Sequence, residues 1–266
     1  MLNQKEFQTV LITGASSGIG RALAHELAPL SSKLILVARR LPELQALQKE
    51  LSSLCPTELV VCDLLNEGQR RDLAARYAGQ VDVLVNNAGL GRFGSFLSQS
   101  DSQLRDSLHL NCLVLTELCR DFGRGMAAKK GGRIVNIASL AGFLSTPYFS
   151  VYAATKAYVT SLSEALDVEL APSGIRVLCV APGGISTGFH RTAGLPDTIV
   201  EKYRSAMMTP EELARQSVRA LRKGKSLTIP GAANQLTYLL SLLLPRRFVT
   251  VLAKRFYEPF LAPEDR

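Results

Sequence analysis

Val10-Leu11-Ile12-Thr13-Gly14-Ala15-Ser16-Ser17-Gly18-Ile19-Gly20 is the stretch that decides the fold. A short apolar run enters a glycine-rich turn, and a helical apolar spacing follows from Arg21. Glycines at such a strand–helix junction let the chain turn tightly and let a phosphate approach the backbone. The first amides of the helix then meet its negative charge. The candidate contacts are Gly14, Ser16, Ser17, Gly18, Ile19 and Gly20. A tight turn without a ligand is the competing reading.

The same alternation continues along the chain. Strands are expected at Thr9–Thr13, Lys33–Ala38, Glu58–Cys62, Val81–Val85, Arg133–Ala138, Arg176–Ala181 and Ser226–Ile229. Helical spacing is seen, for example, at Arg21–Leu30, Pro42–Leu54, Ser102–Ala128 and Tyr152–Ala171. Short runs that are apolar on both faces and alternate with helices predict a parallel sheet covered on both sides, a doubly wound α/β fold. No linker and no internal repeat is visible. One domain is expected over residues 1–266, with a core at 7–230 and a basic, apolar helical extension at 232–262. The Gly-, Ser- and Thr-rich segment from Gly183 to Met208 breaks the alternation and is expected to be a mobile lid over the strand ends.

At 266 residues, 47% apolar and 20% charged, the chain suits one large globular domain. The start is polar and its first apolar run is too short for a secretory signal. The five cysteines are scattered, and no pair has zinc-type spacing. Reduced thiols, no metal and a cytoplasmic location are expected. The net charge of +8 is concentrated late: residues 202–266 carry 12 basic and 5 acidic side chains. No nucleic-acid partner is expected. An acidic partner, a phosphate or an anionic membrane surface could use this charge, and a solvated helix face is the plain alternative.

Strand ends carry the next signals. The second closes on Ala38-Arg39-Arg40, where a carboxylate would be expected to bind a ribose 2′-hydroxyl. Arginine pairs instead with a 2′-phosphate, so NADP(H) is expected over NAD(H). Arg39 is the better candidate, while Arg40 would stack on the adenine or face solvent. The third strand closes on Cys62-Asp63-Leu64, and Asp63 can accept from an adenine amino group. The fourth closes on Asn86-Asn87-Ala88-Gly89, with Asn87, Ala88 and Gly89 along the ribose. Each could also be plain turn chemistry.

Tyr152 and Lys156 are four apart at the start of a helical segment, and so share one face. A tyrosine near its ordinary pKa of about 10 is a poor acid–base at neutral pH, and a neighbouring ammonium is expected to lower it. Tyr148 and Tyr158 have no lysine four residues on. Ser139 closes the fifth strand and can hold a substrate oxygen toward Tyr152. Asn111, at an unfavourable mid-helix position, would position a proton-relay water for Lys156 or be a satisfied core amide.

In order and spacing, Thr13-Gly14-x3-Gly18-Ile19-Gly20, Asp63, Asn86-Asn87-Ala88-Gly89, Asn111, Ser139, Tyr152-x3-Lys156 and Pro182-Gly183-x3-Thr187 resemble the short-chain dehydrogenase/reductase family over residues 7–230. The resemblance implies a Rossmann fold with about seven strands. It implies a catalytic tetrad of Asn111, Ser139, Tyr152 and Lys156, with Tyr152 and Lys156 also at the cofactor. Pro182, Gly183, Ile185 and Thr187 would hold the nicotinamide end. It also implies an NADP(H)-using oxidoreductase acting on a carbonyl or secondary alcohol, and a homodimer or homotetramer joined through the helices at 102–128 and 152–171. One departure is Ser17, where some NADP(H)-using members carry a basic residue; 2′-phosphate recognition would then rest on Arg39 and Arg40.

The residues expected to face the substrate are Ser139, Leu140, Ala141, Gly142, Leu144, Tyr148, Tyr152, Gly183 and the lid at Ile185–Leu195. Being mainly apolar or small, they suit a hydrophobic ketone or alcohol. His190 is expected to be solvent-exposed, although with Arg191 it leaves open an acyl-carrier substrate such as a 3-oxoacyl thioester, or a phosphate-bearing one. A non-catalytic NADP(H)-binding scaffold is the alternative from another class. The tail, Leu236–Leu244 followed by Pro245-Arg246-Arg247 and Phe248–Phe256, is too short to span a bilayer. It would pack on its own core as a cap over the substrate pocket, meet a second subunit, or lie on a membrane surface as a peripheral module.

Overall fold

Strand β1 (Phe7–Thr13) is apolar at consecutive positions because both of its faces are covered. Val10 and Ile12 pack into one core, while Leu11 between them packs into the other. The same division recurs in β2 (Ser31–Ala38), with Leu34 and Leu36 on one side and Ile35 and Val37 on the other. Each such side chain contributes about 1.5–3 kcal/mol by leaving water. A sheet apolar on both faces needs helices on both, and parallel pairing supplies the crossovers.

The computed structural model describes residues 5–261, so the expected end of the tail at 262 lies just outside the described residues. The remaining strands are β3 (Thr57–Val61), β4 (Val83–Asn86), β5 (Gly132–Ile137), β6 (Ile175–Val180) and β7 (Leu227–Thr228). The sheet runs β3-β2-β1-β4-β5-β6-β7, with every pairing parallel. All seven expected strands are present within two residues of their expected ends. Helices α1 (Gly18–Leu27) and α2 (Leu41–Leu51) cover one face. Helix α3 (Glu67–Tyr77), the long helix after β4 and α6 (Ser150–Leu170) cover the other.

That long helix departs from expectation. It is α4 (Asp101–Leu108), a π-type turn at His109–Val114, and α5 (Leu115–Ala128). The wide turn contains Asn111, and such turns gather at functional positions. Similarly, α1 stops at Leu27, and Ala28–Leu30 form a tighter 3₁₀ turn that contains Pro29. After β6 come the short helices α7 (Phe189–Thr192) and α8 (Asp197–Tyr203), then α9 (Pro210–Arg222), which packs beside α1 on the first face. The chain ends in α10 (Ala232–Leu243) and α11 (Arg246–Tyr257).

Helix α6 is fastened to the sheet by buried polar groups. The Asn86 amide donates to Asn136 Oδ1 at 2.9 Å, and Asn136 donates to Ser163 Oγ at 3.0 Å. Ser163 donates in turn to the Val159 carbonyl within α6 at 2.6 Å. These bonds join β4, β5 and α6 and fix the helix along its axis. At the same carboxyl edge of the sheet, Gly14 and Gly18 adopt φ values of +64° and +54°, which side chains disfavour. Gly20 is constrained by space, because a Cβ there would collide with the Gly14 carbonyl and the Asn87 side-chain amide. Gly20→Ala should destabilise the fold by about 1–3 kcal/mol. Urea unfolding should show a lower midpoint with an unchanged slope.

Candidate active site

The order of strands reverses between β1 and β4, so their carboxyl ends diverge and open a crevice. Thr13 and Asn87 hold this junction. The Thr13 hydroxyl donates to the Val85 carbonyl at 3.2 Å and accepts from the amides of Asn87 and Ala88 at 3.0 and 3.1 Å. The Asn87 side chain donates back to the carbonyls of Thr13 and Gly14 at 2.9 and 3.2 Å. The glycine turn is thereby fixed against the β4 loop. No side chain caps the N-terminus of α1, whose first residues Gly18 and Ile19 line the crevice.

Two arginines follow β2, and their surroundings differ. Arg40 donates to Ser16 Oγ at 3.2 Å and pairs with Glu43 at 3.0 Å. Arg39 lines the same crevice and has no hydrogen-bond or ion-pair partner among the described residues. Asp63 also lines it, with Oδ1 accepting from the Leu65 amide at 3.1 Å, while Leu64 is buried beside it. Bare glycine backbone and an uncapped helix start at the end of β1 fit the pyrophosphate of a dinucleotide.

Tyr152 and Lys156 lie one turn apart on α6, with Lys156 Nζ 5.6 Å from the centre of the Tyr152 ring. The Lys156 ammonium donates to the Ile137 carbonyl at 2.7 Å, at the end of β5. Ser139, two residues on, lies beside the Tyr152 phenol and accepts from the Ala141 amide at 3.1 Å. The expected lowering of the Tyr152 pKa by Lys156 is not what the protein itself sets. Burial pushes the phenol up to about 12, with neighbouring Ser139 acting the other way, and burial also holds Lys156 down at about 8. In the low dielectric of the cleft the neutral form of each group is favoured.

Asn111 is buried, and its partners are protein groups. Its side chain donates to the Leu90 carbonyl at 2.7 Å and to Thr155 Oγ1 at 3.0 Å, and accepts from the Leu90 amide at 2.8 Å. It joins the loop after β4 to the helix that carries Tyr152. These bonds satisfy the side-chain amide within the core.

One continuous cavity of about 1520 Å³ runs from the glycine turn to Tyr152 and beyond. It exceeds the roughly 300–1,000 Å³ of most small-molecule sites. Its walls include Asn87, Ala88, Gly89, Ser139, Leu140, Ala141, Leu144, Pro182, Gly183, Ile185 and Thr187, as expected. Tyr148 is not among them, which corrects the sequence reading. Its backbone sits at φ +63° and its hydroxyl donates to Glu258 at 3.4 Å, so Phe149 takes the wall position. Gly142 is also absent, because it packs against the backbone of Lys156.

The lid segment covers the cavity through Ile185, Thr187, Phe189, His190 and Leu195. Its two ends are pinned together where Ser186 and Met208 amides donate to the Met208 and Gly184 carbonyls, both at 3.1 Å. His190 is buried rather than exposed, with Nε2 at 2.6 Å from the Ile185 carbonyl and Nδ1 unpartnered. Folding of the lid back on itself turns this ring inward. Phe189 of the expected lid lines the apolar wall too, and Phe149, Leu240, Leu252, Phe256 and Tyr257, none singled out individually from the sequence, complete it. The i, i+3, i+4, i+7 spacing of Thr237, Leu240, Ser241 and Leu244 was the available signal in the tail.

Comparison with known proteins agrees with this arrangement. A family model described as short chain dehydrogenase matches residues 8–196. Dehydrogenase/reductase SDR family protein 7-like of Anopheles gambiae is 32% identical over 93% of this chain and 83% of its own length. Human estradiol 17-beta-dehydrogenase 11 is 31% identical over 95% and 84%. A short-chain dehydrogenase from Sphingobium yanoikuyae, solved in complex with NADPH, is 33% identical with a TM-score of 0.80, covering 89% of this chain and 93% of that one. One from Burkholderia phymatum, solved with NAD, is 26% identical with a TM-score of 0.80, covering 89% and 94%. The chain therefore belongs to the short-chain dehydrogenase family, oxidoreductases that use a nicotinamide cofactor to interconvert alcohols and carbonyl compounds.

Proposed function

We propose that the chain uses NADP(H) to interconvert a hydrophobic ketone and its secondary alcohol, with Tyr152 as the proton-transferring group. The observation that carries this reading is Tyr152 beside Ser139 and one turn from Lys156, on an apolar cavity wall continuous with the glycine turn. Bound NADP(H) would supply or accept the hydride at its nicotinamide carbon. The Ser139 hydroxyl would hold the substrate oxygen beside the phenol. A phenol kept protonated by burial is an acid suited to the alkoxide that develops on reduction. Lys156, fixed by the Ile137 carbonyl, would steady Tyr152 and reach the cofactor ribose, while Asn111 would hold the Leu90 loop and α6 in register. Asp63 would meet the adenine, and Pro182, Gly183, Ile185 and Thr187 the nicotinamide end.

Arg39 supports the choice of NADP(H), since it is free to meet a 2′-phosphate while Arg40 is engaged with Glu43 and Ser16. The apolar wall supports a hydrophobic substrate. Arg92 and Arg191 on the same cavity favour a second reading, in which the ketone belongs to a 3-oxoacyl thioester with an anionic carrier. Exposed Leu108, Leu113, Tyr158 and Val168 on the helices at 102–128 and 152–171 support a homo-oligomer. The five unpaired thiols support a reducing compartment, the cytoplasm.

Tyr152→Phe should abolish NADPH oxidation with every ketone in a hydrophobic carbonyl panel while retaining NADPH binding by fluorescence titration; near-parental turnover would refute the assignment. Arg39→Asp should reverse the preference for NADPH over NADH, raising KM for NADPH roughly tenfold or more by loss of a charge-assisted pair. Lys156 titrates at about 8 in the fold against 10.5 in the open chain, so burying its ammonium costs stability below the lower value and nothing above the higher. The Tm of Lys156→Met should therefore gain on that of the parent as pH falls from about 10.5 through about 8.

A further inference from the structure

Helices α10 and α11 bury none of their residues, although they are rich in large apolar side chains. Leu236, Leu239, Leu242 and Leu243 on α10 are 54–80% exposed, and Phe248 and Val251 on α11 are 57% and 44% exposed. Contiguous apolar surface on this scale marks an interaction site. The same helices form part of the cavity wall. Leu240, Leu244, Leu252 and Phe256 line the cavity and are themselves 38–56% exposed, so they form its rim.

We propose that the α10–α11 hairpin lies on an anionic lipid surface with the cavity rim turned toward the bilayer, and that the substrate is a ketone or alcohol dissolved in that lipid. Charge selects this occupant. Residues 232–257 hold Arg246, Arg247, Lys254 and Arg255 and no acidic side chain. Lys254 pairs with Glu258, while the three arginines have no ion-pair partner among the described residues. A second copy of the chain would bring like charge against like charge across a two-fold face. An anionic headgroup layer meets the arginines while its acyl region takes the leucines. Neither helix, at 12 residues each, is long enough to cross a bilayer. The identity of the substrate rests on the carbonyl–alcohol reading above; the docking does not.

The test is flotation of the full chain with vesicles of equimolar phosphatidylcholine and phosphatidylglycerol, compared with pure phosphatidylcholine. The parent should float with the mixed vesicles and lose binding as salt rises. Leu239→Glu combined with Leu243→Glu and Phe248→Glu, all off the cavity wall, should lower partition roughly tenfold or more. NADPH oxidation with a water-dissolved ketone should not change in that variant, whereas turnover of a vesicle-embedded ketone should fall with the partition. Arg246→Gln, Arg247→Gln and Arg255→Gln together should remove the preference for anionic vesicles. Failure of the parent to float, or equal flotation of the leucine-face variant, would overturn the docking. So would a change of oligomeric mass in that variant with flotation intact, which would give the face to a second copy. Tyr152→Phe should float like the parent. Flotation without reduction of any ketone would remove the catalytic reading and leave the docking standing.

Discussion

The Thr13 hydroxyl is one polar group with three partners, and the crevice depends on it. A parallel sheet whose strand order reverses must leave a gap at the reversal, because the crossovers on either side run away from each other. Left alone, the loops after β1 and β4 would move independently. Thr13 donates to β4 and accepts from the two amides that follow it, and Asn87 returns the connection to the glycine turn. The backbone that would receive a pyrophosphate is thus held before any ligand arrives, and binding orders less chain. Gly20 belongs to the same constraint, since the clamp closes only if nothing projects between the turn and Asn87.

At the other end of the cavity, proximity and burial compete, and burial has the larger effect. Tyr152 and Lys156 share a helix face, yet each is displaced toward its neutral form because the cleft solvates charge poorly. The cleft therefore favours the neutral phenol over a phenolate. The Asn86–Asn136–Ser163 chain serves this arrangement at a distance. Its bonds fix α6 along its axis, and so fix how far Tyr152 stands from Ser139.

Legibility in the sequence followed the range of the interaction involved. The strand ends, the glycine turn and the Tyr152–Lys156 spacing are local, and period and turn chemistry were enough to read them. Tyr148 could not be read that way, since its left-handed backbone and its bond to Glu258 depend on where a tail 110 residues later returns. His190 looked exposed as a polar residue in a loop, and only the folding of the lid onto the Ile185 carbonyl buries it. The apolar face of α10 and α11 was visible as a pattern, with the substrate pocket as one of several surfaces it could meet, because periodicity names a face without choosing what that face meets.

The π-type turn at His109–Val114 carries a consequence for how this chain can change over time. An extra residue accommodated within a helix advances everything after it by about 100° relative to an uninterrupted α-helix. The core-facing side chains Leu115, Leu118 and Phe122 are thus phased separately from Asn111, which faces Leu90 and Thr155. Deleting one residue here would restore a regular helix and its hydrogen bonds, a locally favourable change. It would also swing Asn111 off its partners or rotate the buried stripe of α5 out of the core. The segment is thus one where the regular helix is within a single deletion, and only the simultaneous demands of two distant surfaces hold the irregular form in place.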